Sequence, residues 1–314
     1  PFSQQQVEEQ RSAREALEML VALDGLLRQL QPLSSYLLQA QNVLPLEHPL
    51  QERINALASS QLAVLRDRRQ RATAQARQLV GEAQAIKREY IQEYIRLHNK
   101  ARLDLGQDQR KQRLIKSDEF QQLRALGSLN TLQRSQLRDL ERALAEIKVC
   151  GRLSEQQLEN RPVCPDCDFR PSQEARSAPA AATLEKLEGD LHALCQNWVD
   201  TLLQNLEDPT IQQVLMQMSP TEREPIEKFR RTREFPRKVD DAFVQALNTA
   251  FEGIEVVPIS LDYLFNRLTK GGLPTRPDDM RERLDVMLRE LLRGRDQRRV
   301  RILVEREERS DRGS

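Results

Sequence analysis

Aromatic side chains are scarce in this sequence, at 4% of 314 residues, and glycine (11), cysteine (4) and histidine (3) are also few. A chain with so few bulky rings is not expected to bury one large globular core. No apolar run approaches the roughly 18 residues that a bilayer-spanning helix requires, and no secretory signal opens the chain. No membrane partner is therefore expected. Sparse cysteines are also not the dense pattern of a secreted disulfide scaffold, so a reducing, cytoplasmic setting is expected. Charge of one sign is missing too. The 49 basic and 48 acidic residues leave a net charge of +1, which gives no overall attraction to nucleic acid.

Catalytic signatures are absent as well. There is no GxxxxGK[ST] phosphate loop, GxGxxG, GxSxG or HExxH. With His48, His98 and His192 as the only histidines, acid–base chemistry has few candidates. No catalytic centre and no nucleotide site are expected within this segment. The first residue is Pro1 and not Met, which reads as an excised fragment of a longer protein.

What is present is helical. Charged residues reach 31%, mean hydropathy is −0.66, and leucines recur at three- and four-residue steps almost throughout. The expected class is mainly α. Residues 1–50 read as an N-terminal helix over 4–30 followed by a connector broken by Pro32, Pro45 and Pro49. Residues 51–150 read as a long antiparallel helical hairpin or coiled-coil arm. Its first helix, 51–105, would extend about 80 Å at 1.5 Å per residue. Its second begins at Ser117, with the tip near 106–116 and the base near Cys150. Residues 151–182 hold a CxxC knuckle and an Ala/Ser/Pro-rich linker, with Ser154 and Gln157 as a capping box. A helical segment covers 183–239, where Asp208 and Ser219 each cap a helix opened by proline. Residues 240–314 hold a helix over 240–251 and then strand, helix, helix and strand, and suggest a small C-terminal α/β, winged-helix-like module.

The most specific motif is Cys164-Pro165-Asp166-Cys167, with Cys150 upstream. Two thiolates three residues apart on a tight turn can face one ion, and a structural zinc needs four such ligands. Cys150 is the candidate third ligand. The fourth stays open, with Cys195 and His192 one helix away and Asp166 and Asp168 adjacent. A redox pair or cysteines without a special role are the alternatives, although the βαβ setting of a thioredoxin-type motif is absent. Tyr90, Tyr94 and His98 fall at four-residue steps on one helix face, which reads as interhelical seam. Basic clusters occur at 66–71, 230–238 and 298–301. Of these, Arg230, Arg231 and Arg233 are the candidate nucleic-acid contacts, although only Phe229 and Phe235 lie nearby for base stacking.

Three stretches together carry a resemblance: Tyr94-Ile95-Arg96-Leu97-His98 on the arm, Cys150 with Val163-Cys164-Pro165-Asp166-Cys167 and Arg170-Pro171, and the tail over 257–304. The combination resembles the C-terminal part of the very large P-loop ATPases of bacterial phage-exclusion (BREX) systems, the BrxC/PglY group. The resemblance implies a cytoplasmic defence ATPase whose nucleotide site lies upstream. It also implies a methyltransferase and other defence proteins as partners. This segment would then assemble the ATPase through helical, oligomer-forming contacts or meet DNA. A nucleic-acid-binding module, and a structural coiled coil unrelated to defence, are the competing expectations.

Overall fold

The computed structural model describes residues 4–66, 72–174, 178–270, 272–273 and 276–305. The protein is mainly α and divides into two compact units. The first comprises Pro1–Asp108 and Ile147–Thr183, the second Gln109–Glu146 and Leu184–Ser314.

The first unit is built on three long helices, α1 (Gln4–Gln41), α2 (Pro49–Arg66) and α3 (Ala72–Ala101). Gln41 meets Asn55, and Ser34 meets Gln61, so α1 and α2 run antiparallel. His48, just before α2, faces Glu93, and Arg53 faces Glu89, so α2 and α3 are antiparallel as well. Their shared core takes Leu30, Leu37 and Ala40 from α1, Ile54 and Leu57 from α2, and Ala83, Ile86 and Tyr90 from α3.

Two sequence expectations change here. Pro32 does not end the first helix, which runs on to Gln41. Pro32 removes one amide donor, but Leu30, Tyr36, Leu37 and Ala40 around it are buried. Their burial, worth about 1.5–3 kcal/mol per large side chain, outweighs the local penalty. The turn that follows is stapled by buried Gln51, whose amide donates to the carbonyls of Gln41 (2.8 Å) and Leu44 (3.2 Å).

The hairpin is also paired differently. Residues 51–105 do not form one helix zipped to 117–147. The antiparallel pair is α2 with α3, and residues 109–146 belong to the second unit. The polar turn expected near 106–116 is instead the helix α4 (Leu105–Ile115). Apolar stripes at helical spacing are interchangeable, and they do not name their partner.

After α3, Leu103 forms a parallel bridge with Val149. Two short helices, α7 (Glu155–Leu158) and α8 (Pro171–Glu174), then flank the cysteine turn and lie against α3. Between Leu103 and Val149 in sequence lie α5 (Asp118–Leu126) and α6 (Arg134–Glu146), both of the second unit.

The second unit continues through α9 (Ala180–Leu206), α10 (Pro209–Gln217), α11 (Pro220–Thr232) and α12 (Asp241–Ala250). The unit division falls inside α4 and inside α9. The caps at Asp208 and Ser219 form as the sequence predicts, and Ser219 and Glu222 close a capping box. Phe229 stacks on Phe235 at 5.4 Å and meets Phe243 edge-on at 5.8 Å. The tail is a β–α–α–β unit of β1 (Glu255–Ser260), α13 (Leu261–Leu268), α14 (Pro277–Leu291) and β2 (Val300–Glu305). Its strands pair in parallel from Glu255↔Val300 to Ser260↔Glu305. That is the geometry of a crossover connection and not of a winged-helix hairpin.

Candidate metal centre

The CxxC turn is held from outside by a helix face. Tyr90 and Tyr94 are each buried on α3. The Tyr94 hydroxyl accepts from the Cys164 amide at 2.8 Å and donates to the Phe169 carbonyl at 2.6 Å. The Tyr90 hydroxyl donates to the Pro162 carbonyl. Two phenols therefore close the backbone on both sides of the turn. Within the turn, the Asp168 amide donates to the Cys164 carbonyl at 3.1 Å. Asp168 itself adopts a left-handed φ of 49°, which reverses the chain directly after the second cysteine; Asp tolerates this region better than most residues.

Cys150 arrives from the other side. The Leu103 amide donates to the Lys148 carbonyl and the Cys150 amide to the Leu103 carbonyl, both at 3.0 Å. That short ladder places Cys150 beside the end of α3. The Cys150 and Cys164 sulfurs are 3.7 Å apart. Cys167 Sγ lies 3.4 Å from Nε2 of His98. Together His98, Cys150, Cys164 and Cys167 form a buried cluster whose ligand atoms all lie within 4.8 Å of one another, and which could hold a metal ion.

The electrostatics suit a cation. Burial lowers the pKa of His98, and the nearby Arg102 charge adds to this against the hydrogen bond to Asn99. The imidazole is thus neutral near pH 7, the form that ligates metals. Burial, together with the neighbouring sulfurs of Cys167 and Cys164, pushes the Cys150 thiol up to about 12. Three thiolates cannot share this pocket unless a cation balances them.

His98 is the member of the cluster that sequence reasoning missed. It sits on the Tyr90–Tyr94 face that reads as interhelical seam. The face is a seam, but what it packs against is the knuckle: His98 meets Phe169 at 5.9 Å and Tyr94 at 6.4 Å. The usable signal is that this face ends in the one histidine of α3. Cys195 and His192, the other candidates for the fourth ligand, belong to the second unit, where His192 faces Glu119. Asp168 pairs with Arg161 at 2.8 Å.

Arg230, Arg231 and Arg233 are exposed at the C-terminal end of α11. Cations there offset the negative end of the helix dipole, and Arg233 caps the helix in a left-handed conformation at φ 57°. Of the basic cluster at 66–71, residues 67–71 lie outside the described residues. Among the described residues, no helix is long and apolar enough to cross a membrane.

Fold and cluster together define a mainly α protein with a buried Cys3His group at the foot of a helical bundle. Residues 1–98 match the fifth domain of a family of unknown function, DUF6079, and residues 106–197 match its sixth domain. His98 is the last residue of the first match, and the three cysteines all fall within the second. No curated protein and no solved structure matches the chain.

Proposed function

We propose that this chain is a non-catalytic assembly segment whose first unit is pinned by a structural zinc ion held by His98, Cys150, Cys164 and Cys167. The carrying observation is the closed, buried four-ligand set. Three sulfurs and one imidazole nitrogen are the donor chemistry of structural zinc, and four protein ligands leave no position for a substrate or an activated water. The ion would clip the end of α3 to the segment after residue 147. It would thereby join the stretch matching the fifth domain of the family to the stretch matching the sixth.

Zinc content of the chain purified without chelator tests this directly. Close to one equivalent per chain supports it, and less than about a tenth of an equivalent removes the ion from the reading. Substituting His98 by Ala separates a four-ligand site from a three-cysteine one, because the loss of a ligand should weaken zinc retention sharply.

The wider setting we propose is a large bacterial phage-exclusion ATPase, with this segment making contacts to other defence proteins. That reading is supported by the three-part sequence resemblance. It is compatible with consecutive matches to two domains of a multidomain family. The genes beside the full-length gene test it: a neighbourhood without a methyltransferase or other defence genes would count against it.

A further inference from the structure

We infer that the end of α11 and the turn after it form a binding surface for single-stranded nucleic acid, with backbone phosphates on Arg230, Arg231 and Arg233 and one base in the adjacent cleft. The surface lies within the second unit and does not involve the metal centre, so its failure leaves the zinc reading untouched.

The stretch 228–238 holds six basic residues and one acidic residue, in a chain whose net charge is only +1. All six basic side chains are exposed. Several arginines elsewhere in this unit have carboxylate partners, as Arg124 has Glu141, Arg223 has Glu227 and Arg301 has Asp208. Arg237 is paired as well, with Asp118. Among the described residues, Lys228, Arg230, Arg231, Arg233 and Lys238 have no ion-pair partner. The C-terminal end of a helix dipole amounts to about half an elementary negative charge, which five unpaired cations far exceed.

Arg233 adds a second observation. It occupies the left-handed C-cap of α11, at φ 57°, a position that glycine fills without strain. An arginine held there keeps a cation on the surface at a cost in backbone energy. The turn that follows is fixed in place. The Gln122 amide donates to the Pro236 carbonyl at 3.0 Å, and Phe235 stacks on Phe229. Cations on a fixed turn engage an anionic chain with less ordering cost than cations on a loose one.

Beside them is a cleft of about 420 Å³, lined by the rings of Phe229, Phe235 and Phe243 and by Lys228, Arg237 and Lys238. Glu224 and Glu234 line it too, as does Asp240, which caps α12. These carboxylates decide between two kinds of polyanion. An acidic peptide would meet repulsion from them. A nucleobase offers amino groups from which a carboxylate accepts, and a planar face for an apolar cleft. A duplex keeps its bases stacked inside, so only a single strand delivers one here.

Fluorescence anisotropy of labelled mixed-sequence DNA of about 20 nucleotides, single-stranded or duplex, tests this with the full 314-residue chain. The single strand is expected to bind more tightly than the duplex, with an affinity that falls steeply between about 50 and 200 mM salt. Arg230→Gln, Arg231→Gln and Arg233→Gln combined should weaken binding about tenfold or more and flatten the log–log salt slope by about 2, at about 0.7 per phosphate contact. Arg233→Gly should weaken binding while the urea midpoint holds or rises, a pairing that a purely structural role for Arg233 does not give. Arg298→Gln removes an exposed cation from another basic cluster and should leave binding unchanged.

Wild-type protein that binds neither form of DNA at about 50 mM salt would overturn the inference. Equal affinity for the duplex would do the same, and so would an equal loss in Arg298→Gln and Arg233→Gly. Polyglutamate that displaces the strand as readily as unlabelled DNA does would overturn it in favour of an acidic polypeptide.

Discussion

The Tyr94 hydroxyl takes the Cys164 amide and gives its proton to the Phe169 carbonyl, so a single oxygen satisfies a buried donor and a buried acceptor across the cysteine turn. Tyr94→Phe leaves both unpaired, and each buried unsatisfied group costs about 1–3 kcal/mol. We expect a loss of about 2–4 kcal/mol in urea denaturation, with faster release of metal. A wild-type midpoint would show that water replaces the hydroxyl. Glu174 is a second residue-scale case. Hydrogen bonds from Arg102, aided by Lys148 and opposed by burial, hold its carboxyl down to about 2 from an ordinary 4.5. The unfolded chain therefore binds this proton more readily than the folded chain does, and the contribution of Glu174 is complete above pH 4.5. It fades as pH falls from 4.5 towards 2. Any loss of bound metal in acid is common to wild type and Glu174→Gln, so the gap between their urea midpoints is the readout. The gap should be widest above pH 4.5 and close below it; a constant gap would contradict the assignment.

At the scale of elements, α1 carries a visible local conflict. Pro32 sits inside a 38-residue helix and is exposed to solvent. Pro32→Ala restores an amide donor and is expected to raise stability by about 1–3 kcal/mol, measured as a higher urea midpoint. A lower midpoint would mean that the proline sets a bend that the packing of α1 on α3 needs. Pro225 inside α11 is a second such conflict. The Ser219–Glu222 box, the Asp208 and Asp240 caps and the strand–helix–helix–strand order of the tail can all be read from a few adjacent residues. The bonds of the caps and of the box close within two or three positions of the chain. Helix partners could not be read that way. The stripe on α3 fits α2 and α6 equally well on pattern alone, and only packing chooses between them.

For the whole molecule, the cluster belongs to the first unit, and the single tryptophan, Trp198, to the second. Metal removal and tryptophan fluorescence therefore report on different units. Chelation is expected to lower helical circular dichroism and expose Cys164, which is fully buried in the fold, to alkylation, while Trp198 emission stays close to its starting value. Emission that shifts in step with zinc loss would show that the two units unfold together.

The sequence by itself determined the helical class, the capped short helices, the mixed tail and the CxxC turn. Each of these is written in residue type and near-neighbour spacing, through backbone preference, side-chain caps and the tight turn of a CxxC. Only the tertiary structure decided that α2 pairs with α3 and that Cys150 and His98 join Cys164 and Cys167. Those choices depend on contacts between positions far apart in the chain, such as Tyr94 with Cys164 and Leu103 with Cys150. Burial free energy summed over many side chains selects them, and no single residue carries that sum.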